Sequence, residues 1–232
     1  MKTTWVERWR RGPRAAGLLL AALVTLVGAS PAAAQDALPR FPFGTPVAFV
    51  PVQSVQPLPG GGWPGGEPGE EETLRAMDAE LTFAFAGRRG AEGWALPDDV
   101  VRRVQRNPML RLDPRRLAYQ GLLDEPDRRD QIYEPLHSEL RAISALFDTR
   151  YVVLPIALRA GPADADAEES GVESEAGPSV AEARARLLIA LIDIRSSTVV
   201  WHGEIEGLPA LPASPALLAT LAERVAALVA PS

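Results

Sequence analysis

ARLLIALIDIRSSTVVWHGEIE, residues 185–206, reads as two strands joined by a tight turn. Residues 185–194 are apolar almost throughout, which is typical of a strand buried on both faces of a sheet. Residues 198–206 alternate, so this strand is expected to be half solvated. Its apolar side is predicted to hold Val199, Trp201 and Ile205, and its polar side His202, Glu204 and Glu206. Arg195-Ser196-Ser197 forms the predicted hairpin turn.

The flanking sequence supplies further strands and the helices that cover them. YVVLPIAL at 151–158 and TPVAFVPV at 45–52 are predicted strands, and Trp94-Ala95-Leu96 is a minimal third candidate. Helices are predicted at 70–85, from 97 to before Pro108, at 113–122, at 130–147 and at 214–228, each from apolar spacing or start signals. This order predicts an α/β (α+β) fold, with a mixed sheet of about five strands and helices packed on it.

Two segments interrupt the pattern. Residues 57–69 are dense in glycine and proline, and residues 160–182 combine seven acids with small side chains. Neither segment buries enough apolar surface to offset the entropy of ordering it, so both are predicted to be flexible loops. Residues 45–230 are accordingly predicted to form a single domain.

The N-terminus predicts export. Residues 1–34 combine a basic region, an apolar run of about 15 residues and small residues at 32 and 34, which is the layout of a signal peptide cleaved between Ala34 and Gln35. The run is shorter than the roughly 20 residues that span a bilayer, so no stable membrane span is expected after cleavage. An uncleaved anchor is one alternative, and a twin-arginine export signal at Arg10-Arg11 is another. Residues 35–44 are read as an extended segment, and the product is expected to be periplasmic or secreted.

Composition excludes several chemistries. The chain has no cysteine, and its one lysine, Lys2, lies in the leader, so thiolate nucleophiles, cysteine metal sites and lysine-based catalysis are excluded from the mature protein. The leader carries five basic residues and one acid, so its removal takes the formal charge from −6 to −10. A chain this acidic repels phosphate backbones, and no nucleic-acid partner is expected.

A few residues could carry chemistry. Glu134 and His137 form a Glu-x-x-His pair on the predicted helix 130–147, which resembles half of a di-iron carboxylate site. His202 with Glu204, and the pair Asp98-Asp99, are further candidates, although strand solvation and helix capping explain them as well. His137 and Ser138 diverge by about 100° on a helix, which argues against a Ser–His nucleophile pair between them.

Contact residues are a separate expectation. Arginine occurs as adjacent pairs, among them Arg88-Arg89 and Arg102-Arg103, which could form a basic patch for acidic partners or lipid head groups. Trp63, in a loop of glycines, is a candidate exposed contact. Trp94 and Trp201 are expected in the core.

The same features resemble a group of bacterial envelope domains that includes the N-terminal domain of TolB, CsgG and LpoB. The resemblance rests on the first strand at 47–52, the sequence Asp148–Val153 and the hairpin 188–204. It implies a TolB-like fold and a role in binding or assembly, within an envelope protein complex or by self-association, with outer-membrane association as one location. The chain departs from the group in lacking a lipid-bearing cysteine, and no β-propeller is expected.

Together these observations predict an exported, non-catalytic envelope protein, with no catalytic residue, metal or cofactor. The alternative is a secreted hydrolase or metal-dependent enzyme that uses Glu134, His137 or the paired aspartates. A small-ligand binding domain is a third reading.

Overall fold

The computed structural model describes residues 44–57, 69–124, 131–163, 182–212 and 214–230. The strands are β1 (Val47–Phe49), β2 (Val55–Pro57), β3 (Tyr151–Pro162), β4 (Ala183–Asp193) and β5 (Thr198–Glu206). The helices are α1 (Glu70–Phe85), α2 (Pro97–Gln105), α3 (Gln120–Asp124), α4 (Leu136–Phe147) and α5 (Pro215–Val229). The signal peptide, the Ala34–Gln35 cleavage site and nearly all of the segment 35–44 lie outside the described residues.

The strands form one mixed sheet in the order β1-β3-β4-β5, and β2 pairs with the far end of β3. β1 and β2 both run parallel to β3, whereas β3–β4 and β4–β5 are antiparallel. The predicted minimal strand at 94–96 contributes one parallel bridge, between Ala48 and Ala95. This architecture confirms the predicted fold class of a five-stranded mixed sheet with helices packed on it.

Alternate residues of the central strands face two separate cores. Leu187, Ile189 and Leu191 of β4 pack in a cluster that includes apolar residues of α1 and α5. Leu188, Ala190 and Ile192 pack in a second cluster that includes residues of α2 and α4. β4 is therefore buried on both faces from Leu187 onward, as its apolar run predicts.

The hairpin is confirmed, with one correction. The register shifts between Leu191 and Ile192, which pair with Trp201 and Val199, so Val200 is an extra residue on β5. Such a bulge reverses the alternation of side chains along the strand. Trp201 and Ile205 therefore lie in the α1/α5 cluster, whereas Val199 packs against the α2/α4 cluster, and the prediction that all three share one side is wrong.

The helix predicted over 130–147 begins only at Leu136. Pro135 precedes the first helical residue, and a proline disfavours helical backbone in the residue before it, here Glu134. Glu134 and His137 are thus not on one helix, as the Glu-x-x-His interpretation required.

The helix predicted at 113–122 is also wrong, because a short helix forms later, at Gln120–Asp124. Two backbone N–H groups of the predicted helix donate to distant side chains instead of helical carbonyls. The Leu117 N–H donates to Gln53 Oε1 at 2.7 Å, and the Ala118 N–H donates to Glu139 Oε2 at 2.8 Å. These contacts hold the segment in a non-helical conformation, with Leu117 buried in the α2/α4 cluster.

Both predicted loops begin later than expected. β2 includes Pro57, and β3 continues to Pro162, where it pairs with Ala183 of β4. The remainder of the two loops, residues 58–68 and 164–181, lies outside the described residues.

Candidate functional site

A surface pocket of about 610 Å³ lies where α4, the start of β3 and the β4–β5 turn meet. Ten residues line it: His137, Arg141, Ser144, Ala145, Asp148, Thr149, Arg150, Ile194, Arg195 and Ser197. We call it the hairpin pocket. Its residues come from segments about 50 positions apart in the sequence, and the antiparallel pairing of β3 with β4 brings them together.

One wall of the hairpin pocket carries a hydrogen bond between His137 and Ser197. The Ser197 Oγ and His137 Nε2 atoms are 2.9 Å apart. The Ile132 N–H donates to the Ser197 carbonyl at 3.0 Å, which ties the approach to α4 to the β4–β5 turn. The imidazole is about a quarter exposed, so it borders the pocket and remains reachable from solvent.

Glu134 lies on the other side of the imidazole. Its Oε1 is 3.5 Å from His137 Nδ1, and its Oε2 accepts the Ser138 N–H at 3.2 Å. Hydrogen bonding from Ser138 lowers the pKa of Glu134, and the neighbouring His137 adds to that effect. The three side chains thus stand in the order carboxylate, imidazole, hydroxyl.

The floor of the pocket is held by an ion pair between β3 and β4. The Nε and Nη2 atoms of Arg150 approach Asp193 Oδ2 at 3.0 and 2.5 Å. The hydrogen bond from Arg150 is the main cause that lowers the pKa of Asp193, while the Arg195 N–H donates to its other oxygen at 3.0 Å. The guanidinium of Arg150 is therefore engaged within the protein.

Two other arginines at the pocket are not engaged in this way. Arg141 and Arg195 are exposed, and within the described ranges neither forms an ion pair with an acid. Asp148 is the one acid among the ten lining residues. The hairpin pocket is therefore a positively charged surface on a chain whose formal charge is −6.

The backbone is unusual at the same place. Asp148 and Ser197 adopt left-handed conformations, with φ of 51° and 57°. Within the described residues, one further non-glycine residue, Arg111, has positive φ. Asp148 is the left-handed residue that ends α4, which is a common way for a helix to terminate, and Ser197 lies in the β4–β5 turn.

The residues predicted from sequence as contacts lie elsewhere. Arg88 joins α1 to α5 through Glu223 at 2.7 Å, and Arg102 pairs with Asp99 of the same helix at 2.5 Å. The Arg103 guanidinium lies 4.9 Å from the centre of the Phe147 ring. Arg89 is exposed in a short 3-10 turn. A shared contact patch of these arginines stays a prediction, as does the role of Trp63, which lies outside the described residues.

Two of the other chemical candidates, Asp99 and Glu204, make structural contacts. Asp99 Oδ2 accepts the Leu96 N–H at 3.3 Å, which is the capping role expected at the start of α2. Glu204 on β5 approaches Arg159 of β3 at 3.4 Å. Trp94 and Trp201 are each 7% exposed, which confirms their predicted burial.

Within the ranges that the structure describes, no group of three or more His, Asp or Glu side chains is placed to hold a metal ion. Across those same residues, none of the helices combines the length and apolar character needed to cross a bilayer.

Sequence reasoning located His137 and Glu134 but missed Ser197, Arg141, Arg150 and Arg195. The sequence places Ser197 only in the turn between β4 and β5, and the structure confirms that turn. No local spacing connects residue 197 to residue 137, because their contact depends on how α4 docks against the hairpin.

Comparison with known proteins gives only structural likenesses. No protein-family model matches the chain, and no curated protein matches it. Among solved structures, it is similar to the PelC dodecamer from Paraburkholderia phytofirmans, with a TM-score of 0.38 and 12% identity over 82% of this chain and 92% of that one. It is also similar to the LpoB C-terminal domain from Salmonella enterica, with a TM-score of 0.32 and 14% identity over 70% of this chain and 82% of that one. LpoB belongs to the group that the sequence resembles, and at these scores the likeness carries no inference about function.

Proposed function

We propose that the chain is an exported, non-catalytic domain of the bacterial cell envelope that acts by binding, and that the hairpin pocket is its binding site. Its partner is a component of an envelope complex or a second copy of the chain. The observation that carries this proposal is the pair of arginines, Arg141 and Arg195, beside a concave surface and without an acidic partner among the described residues.

The electrostatics support a role in binding. A solvated arginine on an acidic protein lowers its free energy by pairing with a nearby acid, as Arg150 does with Asp193. Arg141 and Arg195 lie near one another around a pocket, where concave walls concentrate the field of like charges. Such a surface attracts a partner of opposite charge.

Export is tested by the N-terminus of the product. Expression of the full chain in a Gram-negative host, followed by fractionation and mass spectrometry, should give a periplasmic protein that begins at Gln35. A product that begins at Met1 would overturn the export half of the proposal.

Binding at the hairpin pocket is tested by site-specific photo-crosslinking in the envelope. A photoreactive phenylalanine in place of Ala145, which lines the pocket and is exposed, should give a discrete adduct. The adduct should disappear when Arg141→Glu and Arg195→Glu are combined. A mass of two chains identifies a second copy, and any other mass identifies an envelope component.

The matched control places the same probe at Phe83, which is 77% exposed on α1, the helix on the opposite face of the sheet. Equal adducts from positions 83 and 145, or none from position 145, would contradict the proposal.

A second candidate function is favoured by one observation, the alignment of Glu134, His137 and Ser197. The spacing of 2.9 Å between Ser197 Oγ and His137 Nε2 suits proton transfer from a nucleophilic hydroxyl to a general base, and Glu134 is on the Nδ1 side. The 3.5 Å separation of Glu134 from Nδ1 is long for an orienting hydrogen bond, although such contacts tighten in some enzymes when substrate binds. This arrangement corresponds to a serine hydrolase.

A fluorophosphonate probe distinguishes the two functions. If the chain is a hydrolase, the probe labels Ser197, and labelling is lost in Ser197→Ala but retained in Ser196→Ala, its neighbour in the same turn. We expect the probe to label neither the parent chain nor the two variants, because the proposed role is binding. Labelling that depends on both Ser197 and His137 would replace the binding proposal with the hydrolase.

A further inference from the structure

We infer that the hairpin pocket takes a sugar-sized molecule that carries an oxyanion, either a phosphate or a carboxylate. This inference rests on the proposed binding function and identifies the partner as an envelope component that carries a phosphorylated or carboxylated sugar. It follows from which donors at the pocket are already engaged and which remain available.

Several polar groups are engaged inside the protein. Arg150 is held by Asp193, and Ser144 Oγ donates to the Thr149 carbonyl. The Asp193 carboxylate is in turn held by Arg150 and by the Arg195 N–H. None of these groups is free to turn toward a ligand without losing a contact that supports the sheet.

The Arg141 and Arg195 side chains remain available. A planar guanidinium presents paired N–H donors in a geometry that matches the two oxygens of a carboxylate or phosphate. Arg141 extends from α4 and Arg195 from the β4–β5 turn, so they approach the pocket from different elements. Two guanidinium groups that line one concave surface favour a ligand with an oxyanion.

The remaining lining residues favour a ligand with hydroxyl groups. His137 and Ser197 are hydrogen-bonded to each other on one wall, so the Ser197 hydroxyl keeps acceptor capacity for one more hydrogen bond. The Asp148 carboxylate also accepts hydrogen bonds, but it repels a second anion. A molecule with one anionic end and several hydroxyls satisfies both requirements. A ligand with acids at both ends does not, because its second acid would lie near Asp148.

The size of the pocket is consistent with this class. Pockets for small ligands have volumes of about 300–1,000 Å³, and the hairpin pocket measures about 610 Å³. This space accommodates a phosphorylated or carboxylated monosaccharide.

The test is isothermal titration calorimetry on the mature chain at physiological salt, with three probes. Glucose 6-phosphate carries the phosphate, glucuronate carries the carboxylate, and glucose is the neutral control. At least one of the anionic probes should bind and glucose should not. Binding of the phosphate probe alone, the carboxylate probe alone or both assigns the group that the pocket prefers.

Substitution of the two arginines shows whether the anionic probe binds at the hairpin pocket. Arg141→Ala and Arg195→Ala should each weaken the anionic probe about tenfold or more, as expected for loss of a hydrogen bond between charged groups. Arg75→Ala is the matched control, because Arg75 is an exposed arginine on α1, on the opposite face of the sheet, and its loss should leave the Kd unchanged. All three side chains are exposed, so the variants should keep the thermal unfolding midpoint of the parent.

Three results would overturn the inference: no binding of either anion, binding of glucose as tight as that of the anions, or unchanged affinity in both pocket variants. If the photo-crosslink at position 145 forms while no anion binds, the oxyanion assignment fails and the binding function stands. If neither forms, both fail.

Discussion

Asp78 should make the domain more stable as the pH falls from about 7.5 to about 4, contrary to the usual effect of a paired aspartate. Its side chain is 1% exposed, and it accepts the Val52 N–H at 2.9 Å and pairs with Arg115 at 2.5 Å. Burial raises its pKa from 3.8 to about 6, because desolvation of the carboxylate outweighs both contacts. The folded state therefore binds a proton that the unfolded state releases between these two pH values.

The magnitude follows from the shift. A difference of about 2 pKa units at about 1.36 kcal/mol each corresponds to about 3 kcal/mol of stability, gained as pH falls through 6 toward 3.8 and lost as pH rises. Asp78→Asn removes the titration and keeps the shape of the side chain. The free energy of unfolding of the parent minus that of the variant should then change by about 3 kcal/mol over this range.

Urea unfolding followed by fluorescence of the buried Trp94 and Trp201 measures this difference at a series of pH values. Taking the difference cancels the other titrating groups. Glu71→Gln, an exposed carboxylate on the same helix, is the control and should give curves parallel to the parent. Parallel curves for Asp78→Asn would refute the reasoning, since they would mean that burial does not perturb Asp78.

Three further changes test the packing and the pocket. Gly203→Ala should destabilise the domain by about 1–3 kcal/mol in urea unfolding, because an added Cβ would lie 2.6 Å from the Trp201 ring; an unchanged midpoint would show that the ring moves freely. Leu140→Ala, at a fully buried site on α4, should cost about 2–5 kcal/mol, and a cost below 1 kcal/mol would contradict the docking of α4 on the sheet. Asp193→Asn should lower the free energy of unfolding at neutral pH, because Arg150 lowers the pKa of Asp193 in the folded state. This loss relative to the parent should shrink below pH 3.8, as acid protonates Asp193 in the parent, and a loss that is independent of pH would argue against the ion pair.

The sheet and most helices were predictable because their signals are local. The apolar run of β4 and the period of α1 depend only on neighbouring residues, and α1 spans 70–85 as predicted. The predictions were wrong where contacts with residues distant in the sequence determine the local structure. Residues 117 and 118 hydrogen-bond to Gln53 and Glu139 instead of forming a helix, and a bulge at Val200 turns Val199 to the opposite face.

The hairpin pocket was largely beyond sequence reasoning for the same physical reason. His137 and Ser197 are 60 residues apart, and they meet only because α4 packs on the sheet beside the β4–β5 turn. Arg141 and Arg195 carry no spacing signal in a chain with many arginines. Exposed Arg89 and Arg106 also have no ion pair within the described residues. What distinguishes Arg141 and Arg195 is that both line the hairpin pocket, which is a property of three-dimensional placement.

NMR mapping of a bound anion tests most directly whether binding occurs at the hairpin pocket. The 15N-labelled mature chain is titrated separately with glucose 6-phosphate and with glucuronate. At least one of the two anions should shift the backbone amides of residues 148–150 and 194–197 together, while those of α1 and α5 stay in place. Shifts confined to the helices on the other face, or no shifts at all, would contradict the account.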